Sequence, residues 1–376
     1  MPNPLNRLHE LGQNVWLDYI RRDILEDGTL DGLIEVDDLC GLTSNPTIFD
    51  NAISESDLYD GDIREAGDCK PKEAFEKLAV ADIKAAADHF RDLYESSGGR
   101  EGFVSIEVNP HLARDTEGTI EEVRRLWEAV DRPNVMVKIP GTREGLPAIR
   151  DCLAAGVNIN ITLLFSVDRY QEVMDAWFDA MEDRVERGEP VDRVASVASF
   201  FVSRVDTKVD DRLEALLEET EDEERAERVL SLKGKIAIAN AKIAYEAHEH
   251  RFSGERFASL VDAGAHAQRP LWASTSTKNP DFPDVYYVEN LIAPETVNTL
   301  PPETIDAYRD HGDPAIRIYE GLDEAHEAME ALDEVGIDFG EVTRELEEEG
   351  VEKFAKSYDD LLESIEEKQR QVVQPA

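Results

Sequence analysis

At 376 residues the chain can bury a large core, either as one barrel-sized domain with extensions or as two domains. Its 83 acids against 40 bases leave a formal net charge of -43, which excludes nucleic acid and anionic membrane surfaces as partners. No stretch approaches the roughly 18 uncharged apolar residues of a membrane span, the start MPNPLNRLHELGQ lacks signal-peptide order, and Cys40, Cys69 and Cys152 form no CxxC pair.

A protein of a reducing cytoplasm is therefore expected, with no disulfide framework and no metal site. The acids are spread between apolar segments along the whole chain, as on a folded protein with an acidic skin. Scarce lysine beside abundant Asp and Glu points to a halophile, whose cytosol at roughly 1 M salt screens such repulsion within about 3 Å. Among the eight histidines, His248 and His250 lie in a charged helical stretch and are expected at the surface.

In chain order, the expected strands are NVWLD (14–18), LCGLTSN (39–45), FVSIEV (103–108), NVMVKI (134–139), NINITLLF (158–165), VASVASFFVS (194–203), PLWAST (270–275) and DVYYVEN (284–290). Amphipathic helices alternate with them: PKEAFEKLAVADIKAAADHFRDLYESSG, TIEEVRRLWEAVD, GLPAIRDCLAAG and SVDRYQEVMDAWFDAMEDRVERG. EETEDEERAER (218–228) reads as the solvated face of a helix. From about 294 to 376 the pattern is helical, an extension expected to cap the barrel or form a homodimer contact.

Strands alternating with helices mean parallel pairing through crossovers, and eight such units point to a single (β/α)8 TIM barrel domain. A doubly wound sheet is the alternative, with no GxGxxG after a strand to support it. In a barrel, reactive residues belong at the C-terminal strand ends. There the sequence places Asp18, Thr43 and Asn45 (with Pro46 holding Asn45 extended), Glu107, Lys138, Asn158, Asn160 and Thr162 on one strand face, then Ser199, Arg204, Ser274 and Lys278.

Lys138 is the only lysine between Lys84 and Lys208, and it stands in a strand that should be buried on both faces. Burial disfavours an ammonium group, and a neutral amine attacks carbonyl carbon. Forming an imine and cleaving a C–C bond then needs a carboxyl pair, for which Asp18 and Glu107 are available. A class I aldolase mechanism follows. Lys278 in STSTKNP and Arg204 would supply local positive charge for an anionic substrate.

The segments LTSNPTIF, VSIEVNP, VMVKIPGT, GVNINITLLFS, ASFFVSRVD and WASTSTKNP, in this order, resemble the transaldolases, in particular the longer bacterial type. The resemblance implies a pentose phosphate pathway transferase. It would carry a dihydroxyacetone unit from sedoheptulose 7-phosphate or fructose 6-phosphate to an aldose phosphate, with no cofactor. Lys138 would form the Schiff base, Asp18 would act as acid and base, and Glu107 with Thr162 would hold a water. Asn45, Asn160 and Ser199 would bind the dihydroxyacetone moiety and Arg204 with Ser274 the phosphate, with Thr43 a further substrate-binding residue. The family's usual arginine two residues past Ser274 is here Ser276, which leaves Lys278 as the nearby cation. The rival readings are a fructose-6-phosphate aldolase, whose shorter relatives carry a tyrosine in place of Phe201, and a sugar-phosphate-binding regulator without catalysis.

Overall fold

The computed structural model describes residues 3–373. Eight parallel strands close into a barrel in sequence order: β1 (Gln13–Asp18), β2 (Leu39–Thr43), β3 (Phe103–Glu107), β4 (Val135–Pro140), β5 (Ile159–Leu164), β6 (Ser196–Phe201), β7 (Arg269–Ala273) and β8 (Thr296–Leu300). β8 pairs back onto β1, from Gln13 opposite Thr296 to Leu17 opposite Leu300, so the sheet has no edge. The fold is thus a (β/α)8 barrel followed by further helices.

The strands are buried almost throughout because both faces are covered, by helices outside and by packed side chains within. Inside, the fully buried Trp16 ring of β1 lies against Gly41 of β2, its partner in register. A Cβ at Gly41 would come within 2.7 Å of that ring and 2.6 Å of the Phe103 carbonyl oxygen, so only glycine fits there. The outer helices follow their apolar period. In Thr116–Val130, Asp115 accepts from the Gly118 N–H at 3.0 Å as the N-cap, and Ile120, Val123, Leu126 and Val130 form the buried stripe. Each such side chain, fully buried, contributes roughly 1.5–3 kcal/mol.

The eighth strand is not where the sequence reading puts it. DVYYVEN contains the short helix Tyr286–Asn290, with Tyr287 and Val288 buried, and the strand is TVNTL at 296–300. A run of five to seven β-branched and aromatic residues fits a buried helical turn as well as a strand. Residues 296–300, expected to belong to a helical extension from about 294, are thus a barrel strand, and the next helix begins at Pro302.

Two smaller expectations also change. The acidic run 218–228 spans the end of helix Ser203–Glu219 and the start of helix Glu223–Leu232, where Asp222 caps the second helix. His248 is buried, not exposed. Its Nε2 bonds the Gln268 carbonyl at 2.9 Å and its ring packs 4.6 Å from Phe252, and burial pushes its pKa down to about 4.

The C-terminal helix, Phe339–Val373, crosses the mouth of the barrel. On one side Glu345 pairs with Lys208 (3.0 Å) and Arg212 (2.7 Å) of the helix after β6. On the other, Ser357 accepts from Thr47 (3.0 Å) and Ser364 donates to Asp50 (2.8 Å), both on the helix after β2. Between them Gly350 lies over Leu163 at the end of β5.

Candidate active site

The C-terminal strand ends open into a cavity of about 420 Å³. It is lined by Asp18, Thr43, Asn45, Lys138, Thr162, Ser199, Arg204, Ser274 and Lys278 of the expected set, together with Phe201, Ser276, Thr299, Glu303, Lys353 and Phe354. Glu107 and Asn160 lie outside this lining, in the strands on either side of Lys138.

Lys138 is placed by register. β4 sets it opposite Glu107 of β3 and opposite Asn160 of β5. Its Nζ is 3.3 Å from Glu107 Oε2, with both side chains less than a tenth exposed, and it donates to the Ser44 carbonyl at 3.1 Å. The ring of Phe354 lies 6.0 Å from the same nitrogen. A molecule reaching Lys138 from the cavity mouth therefore passes under the C-terminal helix.

Burial raises both carboxyls of the site. Asp18 is pushed up by lost hydration, against which Lys138, the Thr43 hydroxyl and Arg204 act in that order. Glu107 is pushed up likewise, with Lys138 the main opposing influence and Asp18 adding to the rise. The Thr43 hydroxyl donates to Asp18 at 2.7 Å, so Thr299, 2.6 Å away, must donate to Thr43. This chain fixes the Asp18 carboxylate toward the cavity.

Among the described residues Glu107 Oε1 and the Thr162 hydroxyl are buried without a hydrogen-bond partner, and Glu107 Oε2 has only Lys138 Nζ, at 3.3 Å. Buried polar atoms in folded proteins nearly always have partners, so such a set marks a place for ligand or solvent. Thr162 precedes Leu163, a non-glycine residue at φ 61, where the β5–β6 register shifts between Ile161 and Leu164. An irregularity at a strand end re-aims side chains in this way.

The asparagines divide their work. Asn160 is wholly buried and committed, donating to Ser105 at 3.1 Å and accepting from Ser199 at 2.7 Å, so it positions Ser199 from below. Asn158 only ties strand starts together, through Pro133, Val135 and Ala195. Asn45 has the extended backbone expected before Pro46 and caps helix Pro46–Ser54 by accepting from Ile48 N–H at 3.0 Å. Its amide NH2 is left for the cavity.

At the rim, the Arg204 guanidinium stacks 4.9 Å over the Phe201 ring, and burial lowers its pKa. Ser274, at φ 57, turns the chain after β7 and its hydroxyl meets that of Ser203 at 3.0 Å. Lys278 is exposed beside it. Thr299 escaped the sequence reading because β8 was misplaced. Lys353 and Phe354 escaped because nothing in the spacing of a long acidic helix says what it lies across.

A second cavity, of about 560 Å³, opens at the N-terminal strand ends near Arg100, Arg193 and Arg269. It is larger but holds none of the residues above. The group His9, Cys40 and Glu101, close enough to share a metal, is also at that end. Its members are satisfied within the protein: His9 bonds Glu101 at 3.0 Å and the Cys40 thiol donates to the Asp38 carbonyl at 3.0 Å.

A sequence model of the family Transaldolase/Fructose-6-phosphate aldolase matches residues 15–365. The chain is 47% identical over 368 residues to a transaldolase of Thermobifida fusca (strain YX), covering 97% of this chain and 98% of that protein. It is 47% identical over 370 residues to a transaldolase of Acidothermus cellulolyticus (97% and 96%), and 45% identical over 371 residues to one of Trichodesmium erythraeum (97% of each).

Proposed function

Since the chain belongs to the transaldolase/fructose-6-phosphate aldolase family, we propose that it is a transaldolase acting through a Schiff base on Lys138. The observation that carries this reading is the buried amine of Lys138 at the cavity floor, 3.3 Å from Glu107, between two carboxyls that burial pushes toward taking up a proton. Glu107 can accept the lysine proton and free the amine. The amine attacks the C2 carbonyl of the ketose phosphate, and Glu107 returns its proton to the carbinolamine hydroxyl, which leaves as water and gives the protonated imine.

Asp18, held by Thr43, then takes the proton of the C4 hydroxyl. The C3–C4 bond breaks, the aldose phosphate leaves, and the electron pair remains as an enamine on Lys138. Addition of C3 to an acceptor aldehyde, with Asp18 returning the proton, reverses the steps. Fructose 6-phosphate and sedoheptulose 7-phosphate are the donors of this scheme, and glyceraldehyde 3-phosphate and erythrose 4-phosphate the acceptors. Glu107 Oε1 and the Thr162 hydroxyl, buried without a partner among the described residues, are suited to hold the water that hydrates and dehydrates the imine. Asn45 and Ser199 would bind the dihydroxyacetone hydroxyls, Asn160 acting through Ser199, and Arg204, Ser274 and Lys278 the phosphate.

Borohydride reduction in the presence of fructose 6-phosphate in molar KCl, followed by peptide mapping, tests this. The expected result is a dihydroxyacetone adduct on Lys138. A folded protein with no adduct there would overturn the mechanism and leave a sugar-phosphate-binding regulator.

The finer setting belongs to the same proposal: one domain, in the cytoplasm of a halophile, assembled as a homodimer. The net charge of -43 supports the halophile reading, with folding lost in dilute buffer and recovered in molar KCl; full helicity by circular dichroism without salt would refute it. The C-terminal helix turns its inner face to the mouth, so its outer face is the one left for a dimer. Light scattering in KCl, giving 42.2 kDa or twice that, decides.

A further inference from the structure

The C-terminal helix brings two neighbouring side chains into the cavity, Phe354 over the amine of Lys138 and Lys353 at the cationic rim. We propose that Lys353 is a substrate-specificity residue, contacting the phosphate of the sugar phosphate as a third cation beside Arg204 and Lys278. The proposal deepens the transaldolase reading and rests on it.

Charge is the first argument. Acids outnumber bases by 83 to 40, and most cations are paired with carboxylates. Yet Arg204, Lys278 and Lys353 share one cavity, and none makes an ion pair with a carboxylate among the described residues. Arg204 first, then burial, then Lys278 hold Lys353 below the usual lysine range. Asp18 and Glu303 line the same cavity, but three cations set together with no direct ion pair to either form a site for a dianion. One turn along the same helix, Lys356 points elsewhere and pairs with Asp360.

Placement is the second. The β6 and β7 loops supply one guanidinium, several hydroxyls and one exposed lysine, and no second guanidinium. The helix is tied to the barrel on both sides of residue 353, through Glu345 on one side and Ser357 and Ser364 on the other. The backbone at residue 353 is therefore held in place before substrate arrives, and only the exposed Lys353 side chain remains to be ordered on binding. Because Phe354 covers the amine and Lys353 the rim, the helix spans both ends of a bound sugar phosphate.

The test uses the full chain at one fixed KCl concentration, since added salt screens the same charges. Lys353→Met should raise the KM for fructose 6-phosphate on the order of tenfold, with kcat falling less than threefold, and Lys353→Arg should restore most of the difference. Inorganic phosphate, titrated calorimetrically, should bind Lys353→Met on the order of tenfold more weakly than wild type, and Lys356→Met like wild type. Phosphate affinity and KM within twofold of wild type in Lys353→Met would overturn the proposal, as would a collapse of kcat at unchanged KM. The phosphate titration needs no turnover, so it reads this proposal even if wild type forms no adduct on Lys138 and the transaldolase reading itself fails.

Discussion

Replacing Lys138 by methionine removes the charge that opposes the effect of burial on two buried carboxyls. At 3.3 Å from Glu107, with both side chains less than a tenth exposed, the pair is shielded from solvent. Coulomb's law at an effective dielectric of about 20 gives roughly 5 kcal/mol for this pair, in line with the about 3–5 kcal/mol cost of removing one partner of a buried ion pair. Lys138 is also the main influence opposing the upward push of burial on both Asp18 and Glu107. In Lys138→Met both carboxyls should fold neutral, while the unfolded chain ionises them near its ordinary values.

The sign follows. A folded pKa above the unfolded one means that folding takes up protons, so stability is full at low pH and falls as pH rises, by up to about 1.36 kcal/mol per unit for each carboxyl. The expected loss is about 3–5 kcal/mol at pH 8 and distinctly smaller at pH 5. Urea denaturation of wild type and variant in molar KCl at both pH values, followed by tryptophan fluorescence, measures it. The double variant Lys138→Met/Glu107→Leu should recover at least half the loss at pH 8, because the stranded acid is gone. An equal loss at both pH values, or no recovery in the double variant, would show that the amine does not compensate these acids.

Two further outcomes follow from particular contacts. Asp206 is buried, accepts from Ala237 N–H (2.7 Å) and from the Tyr287 hydroxyl (2.9 Å), and is pushed by burial from 3.8 to about 7. Its folded form therefore binds the extra proton, and between those values it lowers stability as pH rises, by about 4 kcal/mol in all. Asp206→Asn, measured against wild type at pH 4 and pH 8, should gain that much in relative stability; a difference that does not change with pH refutes the assignment. Gly41→Ala forces a methyl to within 2.6 Å of a backbone carbonyl and 2.7 Å of the Trp16 ring, neither of which can give way easily. A loss of about 1–3 kcal/mol is expected, and an unchanged melting temperature would count against the interior packing described.

Sequence alone determined a good deal. Seven strands were legible because a strand covered on both faces must be apolar, and strand, helix and glycine or proline recur in fixed alternation. The polar residues at their C-terminal ends were legible for the same reason: Asp18, Glu107 and Lys138 stand out within apolar runs. Closure of the barrel then guarantees that such strand ends share one mouth.

Only the tertiary structure decided the rest. The ambiguous runs DVYYVEN and TVNTL were sorted by which of them could pair with both β7 and β1, a long-range choice that propensity does not contain. The same holds for Asn160, whose alternation with Ile159 and Ile161 put it on the inner face but could not say that Ser105 and Ser199 take up its amide. The path of the C-terminal helix depended on ion pairs and hydroxyl contacts with residues some 140 to 310 positions away in the chain. Periodicity fixes which face of a helix is apolar, not what that face covers, and so Lys353 and Phe354 became visible as site residues only in the folded chain.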